Sequence, residues 1–145
     1  MYVVTTVAGD ERAGCLVGFV TQCSIRPPRF LVCLSKSNRT YAVALRAEVL
    51  AVHLLDANAM ATVRLFGEQT GDEVDKFARC SWSAGPERVP ILDDAYGWFA
   101  GRLLSHVDGG DHDVFLLEPI AGESRRKGTP VMFQQVKDLE PGHPA

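Results

Sequence analysis

The chain has 145 residues, 46% of them hydrophobic and 23% charged, with a formal net charge of -3. That length suits one domain able to bury a core without staples, and the composition is that of a globular protein with no run of ~20 apolar residues able to span a membrane. The acidic balance supplies no general field for a polynucleotide, so nucleic-acid binding is not expected. The N-terminus carries no basic region followed by an apolar stretch of signal length, which leaves a cytoplasmic location as the expectation.

Cys15, Cys23, Cys33 and Cys80 stand at wide, irregular spacings with no C-x-x-C pair, and His53, His106, His112 and His143 are equally scattered. Reduced thiols and no metal site are expected from that pattern.

In chain order, the β-branched run of residues 2–7 reads as a strand, the glycine-flanked "AGDERAG" as a turn, and "CLVGFVTQCS" as the returning strand of a hairpin. "IRPP" interrupts the ladder, because proline donates no hydrogen bond, and "RFLVCL" resumes as a strand buried on both faces. From Asn38, the positions of Tyr41, Ala44, Leu45 and Glu48 predict a helix of about ten residues capped by Ser37 or Asn38. "VLAVHLLD" reads as a strand, and "ANAMATVRLFG" and "DEVDKFA" as two short amphipathic helices covering the sheet. A second hairpin follows, from the aromatic-rich residues 95–107 through the turn "DGGDHD" to "VFLLEPIAG". "VMFQQV" alternates as a last strand before a proline-ended tail, residues 134–145 being assigned to that tail. No linker divides the chain, so a single domain is expected over residues 1–145. Many short strands in hairpins with inserted helices predict a mainly β, antiparallel barrel. The βαβ alternation and glycine fingerprint of a dinucleotide-binding fold are missing.

Three segments carry chemistry. In "SKSNRT", Ser35, Ser37 and Thr40 offer hydroxyls and Lys36 and Arg39 offer charge beside the first turn of a helix, a pattern able to hold a phosphate. Such a grip needs positive charge that is not already neutralised; the same residues also fit an ordinary capped polar loop. In "TQCS", Thr21, Gln22 and Ser24 close a strand where side-chain and backbone groups can meet a planar hydrogen-bonding ring, or simply end a solvated edge. In "GDHDVF", His112 lies between Asp111 and Asp113, so that it can orient a substrate, although a polar hairpin tip has this composition too.

Read together, "VVTT", "GFVTQCSIRPPRFLVCLSKSNRTYAVALRAEVLAVHLL", "GDEVDKFA", "PILDDAYGWFAGRL" and "GDHDVFLLEPI" resemble the flavin reductase family of FMN-binding split barrels, in order and over roughly residues 3 to 121. The resemblance implies a six-stranded antiparallel split β-barrel of Greek-key character, working as a homodimer, with FMN (or FAD) as cofactor and NADH or NADPH as hydride donor. It implies that Val20, Thr21, Gln22, Cys23 and Ser24 lie along the flavin ring and ribityl chain. Ser35, Lys36, Ser37, Arg39 and Thr40 would hold the phosphate, and His112 would contact the nicotinamide. A partner monooxygenase would receive the reduced flavin. Two other readings share the fold: a flavin-binding or electron-transfer module without nicotinamide turnover, and a deazaflavin-dependent oxidoreductase. Where relatives carry a hydroxyl-rich stretch ahead of "TQCS", this chain has Leu16, Val17, Gly18 and Phe19, so backbone groups must replace any side-chain bonds there.

Overall fold

A computed structural model describes residues 1–142; the end of the expected tail, with His143, lies outside the described residues. The protein is mainly β. Nine strands are ordered β1 (Tyr2–Ala8), β2 (Glu11–Val17), β3 (Val20–Ile25), β4 (Pro28–Ser35), β5 (Val49–Leu55), β6 (Trp82–Ala84), β7 (Pro90–Leu92), β8 (Ala95–Asp108) and β9 (His112–Ser124). Two helices, α1 (Arg39–Ala44) and α2 (Met60–Glu68), lie between β4 and β5 and after β5.

Seven strands form one antiparallel sheet in the order β2-β1-β5-β8-β9-β4-β3, and β6 and β7 form a separate ribbon. This corrects the expected six strands: the apolar run from Cys15 to Ser24 is not one strand but two, broken at Gly18 and Phe19. The sheet is also not closed by hydrogen bonds, since β2 and β3 are its two free edges among the described residues. Those edges are nonetheless consecutive in the chain. The short link between them forces the sheet to curl, and one interior cluster gathers Val4, Val17, Val32, Leu34, Leu50 and Phe115 from β1, β2, β4, β5 and β9. Alternation then fills the outer face: Val3 and Leu55 pack with Val63 and Phe66 of α2 in a second cluster.

Turn chemistry sets the connections. Gly9, at φ 61°, permits the tight β1–β2 turn, and Gly110, at φ 109°, the β8–β9 tip; both are conformations that cost a side chain. Pro28 begins β4 instead of ending the ladder, a position where its missing N–H is tolerated. Helix α1 has six residues, shorter than expected, with the Asn38 side chain accepting from the Thr40 N–H.

Two expected elements are absent. "DEVDKFA" forms only a 3-10 turn over Lys76–Ala78, capped by the Asp75 carboxylate accepting from Phe77 and Ala78 N–H. "VMFQQV" is not a strand: Val131 and Val136 are buried in the outer cluster, and the 3-10 turn Phe133–Gln135 spans between them. A single antiparallel bridge, Asp56 with Pro130, and burial in the outer cluster place this segment.

Two buried titratable groups stitch the layers. His53, fully buried on β5, places Nδ1 3.0 Å from the Val3 carbonyl while Nε2 accepts from the Leu92 N–H at 3.1 Å. A carbonyl can only accept, so Nδ1 carries the proton and the ring is neutral; burial lowers its pKa from 6.5 to about 4. Lys76, 5% exposed, donates to the Gly14 carbonyl at 3.0 Å and approaches that of Phe66 at 3.4 Å. Burial lowers its pKa as well. Of the four thiols, all free, Cys15 is buried, Cys33 and Cys80 are half-buried and Cys23 is exposed; burial raises the pKa of Cys15 and Cys33 and pushes Cys80 up to about 11.

Candidate functional site

Strand pairing assembles the site. β4 lies against β9 with Ser35 opposite His112, and beyond the last rung the Lys36 N–H donates to the Asp111 carbonyl at 2.9 Å. Two segments more than 70 residues apart in sequence, the "SKSNRT" loop and the "GDHD" tip, are therefore one structural unit. The Ser35 and Ser37 hydroxyls are 2.9 Å apart. His112 rests edge-on against the Phe19 ring at 5.4 Å, with Nδ1 2.7 Å from the Asp111 carboxylate. That contact holds the Asp111 pKa below the usual carboxylate range. Phe19 is fixed in turn by its carbonyl, which accepts from the Cys33 N–H at 2.9 Å.

The two cations of the loop diverge. Lys36 Nζ is 2.8 Å from Asp108 and 3.4 Å from Asp113, on the β8–β9 hairpin. Asp108 raises the Lys36 pKa, and Lys36 lowers that of Asp108. Arg39 points the other way, 3.0 Å from Glu11 and 3.4 Å from Asp72, and Glu11 is shared with Arg46 at 2.6 Å. Each loop cation thus already faces two carboxylates.

Asp113, the second carboxylate flanking His112 in sequence, has partners of its own. Strand alternation turns it away from His112 towards the interior of the sheet, where it is 4% exposed. Its Oδ2 accepts from the Tyr41 hydroxyl at 3.2 Å and lies 3.0 Å from His106 Nδ1. It thereby ties α1, β8 and the Lys36 loop together beneath the site.

A cleft of about 230 Å³ opens above this unit, lined by Leu16, Phe19, Ser35, Asn38, His112 and Phe133 among others. A second, of about 280 Å³, shares Leu16, Asn38 and Phe133 with it and continues to Thr70, Gly71 and Lys76. Arg39 and Thr40 line a third cavity of about 300 Å³, with Gly14, Asp72 and again Lys76. Ser35 and His112 therefore meet in one cleft. Val20, Thr21, Gln22, Cys23 and Ser24 line none of these cavities. They form the free edge strand β3, with Thr21, Gln22 and Cys23 exposed. Sequence reasoning missed Phe133, hidden in an apparent strand, and Lys76, hidden in an apparent helix face.

The residues fit a flavin by the chemistry of their surfaces: Leu16, Phe19 and Phe133 are apolar walls for a planar ring, and hydroxyl and amide groups of Ser35 and Asn38 flank them.

The model of the flavin reductase like domain matches residues 1–139. FMN reductase (NADH) RutF of Agrobacterium fabrum is 34% identical over 114 residues, covering 79% of this chain and 65% of that protein. The reductase subunit HsaB of a flavin-dependent monooxygenase from Rhodococcus jostii is 31% identical over 145 residues, covering 96% of this chain and 71% of that one. Among solved structures, an FMN-binding protein from Thermus thermophilus superposes with a TM-score of 0.80 at 28% identity, covering 86% of this chain and 69% of its own. The chain spans 65% of the Agrobacterium relative's length, so the match is to a shared domain. By its sequence over residues 1–139, this chain belongs to the flavin reductase like domain family.

Proposed function

We propose that the protein is an NAD(P)H-dependent FMN reductase, taking a hydride from NADH or NADPH and delivering reduced flavin to a partner monooxygenase. The observation that carries this reading is the union of the "SKSNRT" loop and the "GDHD" tip across the β4–β9 ladder, which puts the Ser35 hydroxyl, Asn38 and His112 in one cleft with apolar walls. Bound flavin would supply the hydride-accepting ring, so no nucleophile or general base is required of the protein.

The chain's own task is positioning. Leu16, Phe19 and Phe133 exclude water from the ring, while Ser35, Lys36, Ser37, Arg39 and Thr40 surround the phosphate end. His112, held by Asp111 and Phe19, orients the nicotinamide. In this reading the protein works in the cytoplasm as a homodimer, in which a second copy covers the β3 edge and brings Val20 to Ser24 against the flavin.

The test is anaerobic visible absorption with FMN added, before and after NADH. Flavin bands that bleach with catalytic oxidation of NADH are expected. Bands that persist would identify a flavin-binding module without turnover, and no binding would remove the flavin reading. His112→Ala is expected to raise the KM for the nicotinamide roughly tenfold, equivalent to about 1.4 kcal/mol, with FMN affinity preserved. Loss of flavin from that variant instead would mean that His112 serves the flavin.

A further inference from the structure

The segment that carries Phe133 is pinned at two points and loose between them. The Val131 N–H donates to the Leu55 carbonyl at 3.2 Å, and Val131 and Val136 are 1% and 6% exposed in the outer cluster. The residues between those valines, Met132, Phe133, Gln134 and Gln135, are all exposed. Their hydrogen bonds stay local. The Met132 N–H donates to the Gln135 Oε1 at 2.9 Å, the Gln135 N–H to the Met132 carbonyl at 3.0 Å, and the Val136 N–H to the Phe133 carbonyl at 3.0 Å. Among the described residues, no hydrogen bond joins residues 132–135 to another element. A turn bonded only to itself can move as a unit between its anchors, at the small opening cost of an exposed segment with few buried contacts.

A single exposed apolar side chain is ordinary, but the place of this one is not. The Phe133 ring is 62% exposed, and it borders both the cleft of Ser35 and His112 and the one that continues to Thr70 and Gly71. Phe19 lines the first cleft too, yet its carbonyl is held by the Cys33 N–H and its ring by His112 at 5.4 Å. The His112 cleft therefore has one braced aromatic wall and one that rides on a movable turn.

We propose that Phe133 is a latch: the turn of residues 132–135 swings about Val131 and Val136 to lay the ring on bound flavin, and so sets how long the flavin stays. The inference rests on the flavin reading of the cleft. Stacking takes out of water a ring that otherwise faces it, which drives closure. Release requires the turn to lift. Whether the flavin remains between turnovers or departs to a partner is thus decided by residues that take no part in hydride transfer.

Two measurements with FMN, made without nicotinamide, test the latch. Displacement in a stopped-flow instrument gives the FMN dissociation rates of wild type, Phe133→Ala and Phe133→Tyr. Phe133→Ala is expected to release FMN about tenfold faster, with association altered less than about threefold, since variants of one site differ mostly in dissociation. Phe133→Tyr keeps the ring and is expected to stay within about threefold of wild type. Release from Phe133→Ala at the wild-type rate overturns the inference. Residue-resolved hydrogen exchange on wild type depends on no variant: the amides of residues 132–135 are expected to exchange about tenfold more slowly with FMN bound. Unchanged exchange there would make Phe133 a fixed wall and overturns the latch. Protection that rises with protein concentration and not with FMN would assign this face to a second copy, and overturns it too. A wild type that binds no FMN overturns the flavin reading itself.

Discussion

Lowering the pH from 7 to 4 is expected to remove about 3 kcal/mol of folding stability through His53 alone. The native ring is neutral, buried and bonded at both nitrogens, and its pKa is lowered from 6.5 to about 4. In the unfolded chain the same imidazole takes a proton as the pH falls below 6.5, whereas the native state resists until about pH 4. The unfolded state therefore binds more protons throughout that window, so stability is full above it and declines as pH falls through it. Urea unfolding at a series of pH values measures the slope. His53→Gln should be less stable at pH 7, where its geometry is imperfect, but should show a shallower decline towards pH 4. An equally steep decline in that variant would assign the acid sensitivity to other groups.

Phe115→Ala is expected to destabilise the protein by about 3–5 kcal/mol. The Phe115 ring is 1% exposed in the interior cluster, stacks on His106 at 5.4 Å and meets the Tyr41 ring edge-on at 6.1 Å. His106 and Tyr41 are the two groups that bond Asp113, so the cavity left by the ring lies directly under the carboxylate that ties the Lys36 loop to the hairpin. The shift in denaturant midpoint measures the effect, and a change below about 1 kcal/mol would show that the interior cluster can collapse around the gap. Loss of flavin affinity beyond the fraction unfolded is expected to accompany it, because the loop and tip are no longer held in register.

The parts of the fold legible in the sequence were those where local preference and tertiary burial agree. β1 and β5 are short apolar runs with buried residues on both faces, whereas β4, expected to be buried on both faces, has only Val32, Leu34 and Ser35 buried, and the Asn38 cap was written in the residues that begin α1. The break at Gly18 and Phe19 was hidden because the flanking residues favour strand on either side, and only the curl of the sheet makes Val17 and Val20 belong to opposite edges. "VMFQQV" has the period of a strand, but Val131 and Val136 find their partners in the outer cluster, so burial overrides the pattern. The β6–β7 ribbon, rich in Gly and Pro, carried no strand signal.

At the candidate site, the loop and the hairpin tip were each visible as chemistry, but their union depends on the β4–β9 register, which spans some 70 residues of chain. The charge state of the loop was not legible at all. Asp108 and Asp113 on the β8–β9 hairpin, Glu11 on β2 and Asp72 after α2 come from three separate segments, and only the fold brings them against Lys36 and Arg39. Lys76 looks like one more solvated helix cation until its burial is known.

If the protein is the proposed flavin reductase, its thiols lie near a source of peroxide. Reduced flavin reacts with dioxygen and yields peroxide, whose target on a protein is the thiolate and not the thiol. Cys15, Cys33 and Cys80 are each held above their ordinary pKa by burial, and so remain protonated at neutral pH. In the proposed reductase, three of the four thiols would thus be unreactive towards a by-product of turnover. Cys23 is the one exposed thiol, on the edge strand β3 and outside both core clusters, so a modified sulfur there would leave the core intact.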